Sequence, residues 1–132
     1  MVYFVRGVYS FRGDENPYSG IFTIEKNLII GWILDYTSQS PLHRVKGKVT
    51  HSDGKISLKF VKRPESSLLI PIIYNLEKPA EGGIPGRYEG LWKHQEPGIE
   101  LDIGYERGIG EIATISRVES TNKTRLVLDS KI

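Results

Sequence analysis

The chain has 132 residues, a formal net charge of +2 and no cysteine. That length reads as one domain, residues 1–132, able to bury a core without disulfides or metal. The lack of cysteine excludes a disulfide framework, a thiolate nucleophile and a Cys-ligated zinc site.

No apolar period of the helical kind persists, whereas alternation of period two runs throughout. It predicts about ten strands: Val2–Phe11, Ser19–Glu25, Leu28–Asp35, His43–His51, Lys55–Lys62, Leu68–Leu76, Arg87–His94, Ile99–Glu106, Gly110–Val118 and Thr124–Lys131. The links are mostly short and rich in turn residues, which forces antiparallel neighbours. A meander this long closes to remove its edges. The expected fold is therefore all-β: an antiparallel up-and-down meander forming a closed or nearly closed barrel.

The stretch Met1-Val2-Tyr3-Phe4-Val5-Arg6 lacks a basic leader followed by a long apolar stretch, so no signal peptide is expected. No apolar run reaches the roughly 18 to 20 residues of a membrane-spanning helix. A soluble, cytoplasmic protein is the expectation.

In the second and third strands, a turn at Lys26-Asn27 pairs Ile24 with Ile29 and Phe22 with Gly31. Ile30, Trp32 and Leu34 then face outward beside Ile21. A three-residue turn would flip Trp32 into the core, because a one-residue slip reverses every side chain. Strands apolar on both faces are buried on both faces. No helix is expected to cover this one, so Ile30, Trp32 and Leu34 are a candidate homodimer interface.

Asp53-Gly54 lies between two alternating runs and is a strong hairpin signal. A two-residue turn pairs Val49 with Leu58, Lys48 with Lys59 and Gly47 with Phe60. Arg44 falls opposite Arg63. Like charges opposed across a pair destabilise it unless an anion offsets them. Arg44, Lys46, Lys48 and Lys59 are thus candidate anion ligands. The outward face lacks interleaved aromatics for base stacking, and the overall charge is near neutral, which weighs against nucleic acid. An acidic stretch, Glu96 to Glu111 with Glu100, Asp102 and Glu106, could offset the same charges from a second subunit.

Farther on, Leu68 to Leu76 is expected to put Leu68, Ile70, Ile72 and Tyr74 inside. Tyr88-x-Gly90-x-Trp92 places two large aromatics on one face around a glycine. That suits either a core bend or the wall of a ligand cavity.

With its meander, its length and its Gly90-x-Trp92 pair, the chain resembles the calycin group of lipocalins, fatty-acid-binding proteins and avidin-like barrels. In lipocalins the Gly-x-Trp pair opens the first strand, whereas here it sits in about the seventh. Fatty-acid-binding proteins hold a carboxylate with an inward Arg and Tyr near the C-terminus; Arg117 and Arg125 lack that matching Tyr. The resemblance implies the architecture and an apolar cavity, with no specific site residue carried over.

The expected inner face is apolar, with tyrosine hydroxyls as its polar groups. A ten-stranded lumen either flattens and packs dry or leaves a cavity. In the second case Tyr9, Phe22, Phe60, Tyr74, Tyr88, Trp92 and Tyr105 would hold a small apolar or aromatic molecule.

The three histidines, His43, His51 and His94, lack metal-ligand spacing and read as solvated strand-end residues. Asp35, Glu89, Glu100 and Asp102 form no recognisable acid–base pair, and no Gly-x-Ser-x-Gly elbow is present. The sequence therefore points to a binding protein without cofactor or metal, and away from an enzyme. A ligand-free self-associating module and an anion-binding hairpin over residues 43–63 stand as alternatives.

Overall fold

Two tight turns set the register of the wall. Lys26 and Asn27 have φ of 52° and 64°, and Asp53 and Gly54 have φ of 53° and 75°. Two successive positive φ values define the turn whose twist matches that of a hairpin. Ile24 accordingly pairs with Ile29, and Phe22 with Gly31. Val49 pairs with Leu58, and Gly47 with Phe60. The expected registers of both hairpins hold, and the two-residue turn settles Trp32 on the outer face.

This computed structural model describes residues 1–11, 14–36, 41–65, 70–94 and 123–129. Its strands are β1 (Val2–Phe11), β2 (Asp14–Glu25), β3 (Leu28–Asp35), β4 (Leu42–Ser52), β5 (Lys55–Pro64), β6 (Ile72–Pro79), β7 (Gly86–His94) and β8 (Lys123–Asp129). Each pairs antiparallel with the next, and β8 pairs with β1 to close the barrel. The described residues contain no helix.

The wall has eight strands where about ten were expected. β7 pairs directly with β8, with Gly86 opposite Leu128 and Leu91 opposite Lys123. The ring therefore closes without the segments expected at Ile99–Glu106 and Gly110–Val118, which lie outside the described residues. Two boundaries also differ. β2 begins at Asp14, because β1 runs on to Phe11 and holds Asp14 to Pro17 in register. β6 begins at Ile72, after Pro71, whose missing N–H cannot serve a ladder. Ile70, expected inside, is exposed.

The core is the lumen. Phe22, Phe60, Leu58, Leu76, Tyr74, Tyr88 and Leu126 are fully buried there. Phe60 stacks on Tyr74 with centroids 4.8 Å apart, and Phe22 meets Phe60 edge-on at 5.2 Å. Such pairs add about 0.5–1.5 kcal/mol beyond their area burial. The Phe60 side chain lies against Gly47, where a Cβ would collide with it and with the Lys59 carbonyl. About eight strands is the width that side chains just fill, or that accommodates one small ligand.

The two ends of the lumen differ. At the end carrying the Lys26-Asn27 and Asp53-Gly54 turns, Lys78 Nζ donates to the carbonyls of Pro79, Glu81 and Gly83 at 2.8, 2.9 and 2.6 Å. Tyr88 donates to the Ile84 carbonyl at 2.5 Å. These bonds plug that end with the loop between β6 and β7. The opposite end, where β1, β3, β5 and β7 finish, holds the other buried polar residues, Asp35, His43, Lys62 and Thr124.

Candidate functional site

A complete ion pair lies inside the second end. Lys62 follows Phe60 on the inward parity of β5, and Asp35 follows Ile33 on that of β3. Lys62 Nζ donates to Asp35 Oδ2 at 2.8 Å, with side-chain exposures of 0% and 2%. The Tyr9 hydroxyl donates to the same carboxylate at 2.9 Å. The Lys62 ammonium stands 4.9, 5.8 and 5.4 Å from the ring centroids of Tyr9, Tyr18 and Tyr74. The pair thus sits in a cage of three aromatic rings, each attracting the cation through its face.

Strand geometry explains the assembly. Tyr9, Tyr18, Asp35, His43, Lys62, Tyr74, Trp92 and Thr124 all occupy inward positions near the same strand ends. Tyr18 spans β1 and shares a 2.8 Å hydrogen bond with Thr124 on β8. It also donates to the Arg125 carbonyl at 3.1 Å. Trp92 donates its indole N–H to the Ser10 carbonyl at 3.1 Å and meets Tyr9 edge-on at 5.6 Å.

Electrostatics here follow from burial. Burial pulls the Lys62 ammonium below its ordinary range, against the opposing pull of the Asp35 carboxylate beside it. Burial pushes Tyr74 and Tyr18 well above the usual phenol range; the Thr124 hydrogen bond works the other way on Tyr18. Tyr18 and Tyr74 hold their protons at neutral pH. The buried Tyr74 hydroxyl has no hydrogen-bond partner among the described residues. Lys62 carries three N–H donors and gives one to Asp35; no other oxygen accepts from it among the described residues. Two sources of donors therefore converge on one corner of the lumen.

The residues expected to bind a ligand are distributed as follows. Phe22, Phe60, Tyr74, Tyr88 and Trp92 are buried and inward, and Tyr9 is half-buried beside Asp35. Tyr88 belongs to the plugged end, four residues along β7 from Trp92, so it does not join the polar cluster. Tyr105 lies outside the described residues. Sequence reasoning missed Lys62, Tyr18 and Thr124 as interior groups, and it left Asp35 as a lone carboxylate. A signal was present: Lys62 shares parity with Ile56, Leu58 and Phe60, and Asp35 with Ile29 and Ile33. His43 is a correction. It is buried, because it shares the inward parity of Val45, whereas His51 and His94 are exposed.

On the outside, Ile30, Trp32 and Leu34 face away from the core, as the two-residue turn requires. Phe4, Ile21 and Trp32 occupy one rung across β1, β2 and β3. With Leu34 and Leu42 they line a shallow groove of about 680 Å³. Arg44, Lys46, Lys48 and Lys59 are exposed on β4 and β5, with Lys48 opposite Lys59 and Arg44 opposite Arg63. A larger groove, about 1200 Å³, runs over the outer face of β6 to β8 between residues of mixed charge such as Lys55, Glu89, Lys93 and Arg125. Among the described residues no group of three His, Asp or Glu side chains could hold a metal ion.

Comparison of this chain with protein-family models, with curated proteins and with solved structures finds no match to any of them.

Proposed function

We propose that this protein binds a small, largely apolar or aromatic molecule at the Lys62 end of the lumen, through a group on that molecule that accepts hydrogen bonds. The observation that carries this reading is the corner made by Lys62 and Tyr74: fully buried donors whose capacity exceeds the acceptors around them. Buried polar groups are ordinarily matched, because an unmatched one costs about 1–3 kcal/mol. A carboxylate, carbonyl or sulfonate at this corner would complete the matching. The aromatic side chains of Phe60, Tyr74 and Trp92 would flank the rest. Apolar lining with a few convergent polar groups is the usual chemistry of a small-molecule site. The reading extends the expected likeness to calycin barrels from architecture to use, with a polar corner that the expected site lacked.

The test uses 1-anilinonaphthalene-8-sulfonate, an aromatic acid whose emission rises in apolar surroundings. Saturable one-to-one binding is expected, weakened at least tenfold in the double variant Asp35→Leu/Lys62→Met and unchanged in Trp32→Ser, which alters only the outer face. Loss of binding in Trp32→Ser with full retention in the double variant would place the probe outside the lumen and overturn the reading.

A further inference from the structure

The outer side of β3 is apolar from end to end: Leu28, Ile30, Trp32 and Leu34, with Ile30 59% and Trp32 42% exposed. Exposed apolar surface this continuous marks a contact site. β3 is paired on both sides within a closed ring, so it offers no free backbone edge for an added strand. What it offers is side chains alone.

On its β4 side the charge has one sign, whereas β2 on the other side places Glu25 opposite Leu28. β4 presents Arg44, Lys46 and Lys48, and β5 presents Lys59 and Arg63; the outward positions of β3, β4 and β5 contain no acid. The Arg44 guanidinium lies 5.4 Å from the centroid of the Trp32 ring, so cation and indole share one spot at the border of the two stripes. The apolar surface also does not circle the barrel. β6 and β7 turn Asn75, Glu77, Glu89 and Lys93 outward. A surface of this kind lies on a bilayer and does not span one.

We propose that the β3 face docks on lipid bilayers that carry anionic headgroups, with Ile30 and Trp32 entering the headgroup–acyl boundary and Arg44, Lys46 and Lys48 lying against the phosphates. Charge complementarity selects this occupant. A second copy docked face to face through the same patch would bring its own cationic stripe to the contact. A fluid anionic surface instead satisfies both stripes at once and needs no directional hydrogen bonds, which this face hardly supplies. Tryptophan and arginine together are at home at the headgroup level. The like-charge rungs Lys48–Lys59 and Arg44–Arg63 are then offset by lipid phosphate.

The experiment is co-sedimentation of the full chain with vesicles of phosphatidylcholine alone or with about three parts in ten phosphatidylserine, the anionic lipid whose surface attracts basic residues. Binding is expected to the anionic vesicles, to fall with added salt, and to weaken by roughly thirtyfold or more in Lys46→Glu/Lys48→Glu, at about fivefold per cation. The chain has two tryptophans, and Trp92 is buried, so brominated acyl chains should quench Trp32 alone. All altered positions are exposed, and the lipid and salt series on the unaltered chain needs no variant. Equal binding to both vesicle types, or none, overturns the proposal. So does a dimer that Trp32→Glu dissociates in the absence of vesicle binding, which assigns the face to a second copy. Retention on an acidic polypeptide without vesicle binding assigns it to an acidic protein and likewise overturns it.

Discussion

Lys62 and Asp35 reach each other over an intervening strand: their carriers, β5 and β3, are both paired with β4 and not with each other. The ion pair therefore braces the wall across the lumen. Removing one partner leaves an unmatched buried charge. Lys62→Met alone, or Asp35→Leu alone, should cost about 3–5 kcal/mol in urea unfolding. The double change to Leu and Met removes both charges and should restore most of that loss, or exceed the original stability. A double variant as unstable as the sum of the singles would show that the two charges do not act on each other.

Gly7 and Tyr18 are cross-strand partners, and the tyrosine ring lies over the bare glycine to reach β8. A Cβ at Gly7 would collide with that ring. Gly7→Ala should therefore cost about 2 kcal/mol or more, from displacement of the ring and loss of its hydrogen bonds. Tyr18→Phe should cost about 1–2 kcal/mol by itself. In Tyr18→Phe, adding Gly7→Ala should cost less than it does in the unaltered chain, because part of what it breaks is already gone.

Alkali should unfold the protein through its tyrosines. Burial raises Tyr18, Tyr74 and Tyr88 above the ordinary value of 10.0. Above that pH the unfolded chain releases these protons and the folded chain keeps them. Stability then falls by up to about 1.4 kcal/mol per pH unit for each group. Lys62, whose folded-state value is lowered, acts in the opposite direction below its ordinary 10.5, where the unfolded chain binds the extra proton. Above 10.5 both states have released the Lys62 proton, and the tyrosines alone set the slope. Absorbance at the phenolate band should show these tyrosines titrating only together with the loss of structure; early, independent titration of all of them would contradict the buried placement.

The Lys26-Asn27 turn holds a lysine at φ 52°, a conformation that ordinary side chains resist. Replacing the two residues with Asn-Gly keeps the turn and eases the strain. A gain of about 0.5–1 kcal/mol is expected, seen as a higher urea midpoint at unchanged slope.

Much of this arrangement can be read in the chain before any coordinates. Asp53-Gly54 between alternating runs leaves one register open to it, and that register places Phe60 on Gly47. Lys26-Asn27 left two registers open, and only the positive φ values of a two-residue turn turn Trp32 out. The strand number was less legible, because it depends on β7 meeting β8, a pairing between residues far apart in sequence. Pro71 carried a readable signal for the start of β6. The polar corner was the least visible. A lysine at the end of a strand reads as an exit to solvent; only the carboxylate two strands away makes it an interior residue. His43 was hidden in the same way, since its parity pointed inward and its position near a strand end pointed outward.

Six of the eight seams join strands with short links; β7 meets β8 across residues 95–122, and the last seam pairs Phe4 with Asp129. Contacts so distant in sequence are slow to form. The ring should consequently be the final event of folding, and until β8 arrives β1 presents an open backbone edge. During synthesis that edge is available to other nascent copies, so the yield of soluble protein should depend on how quickly the final strand is delivered.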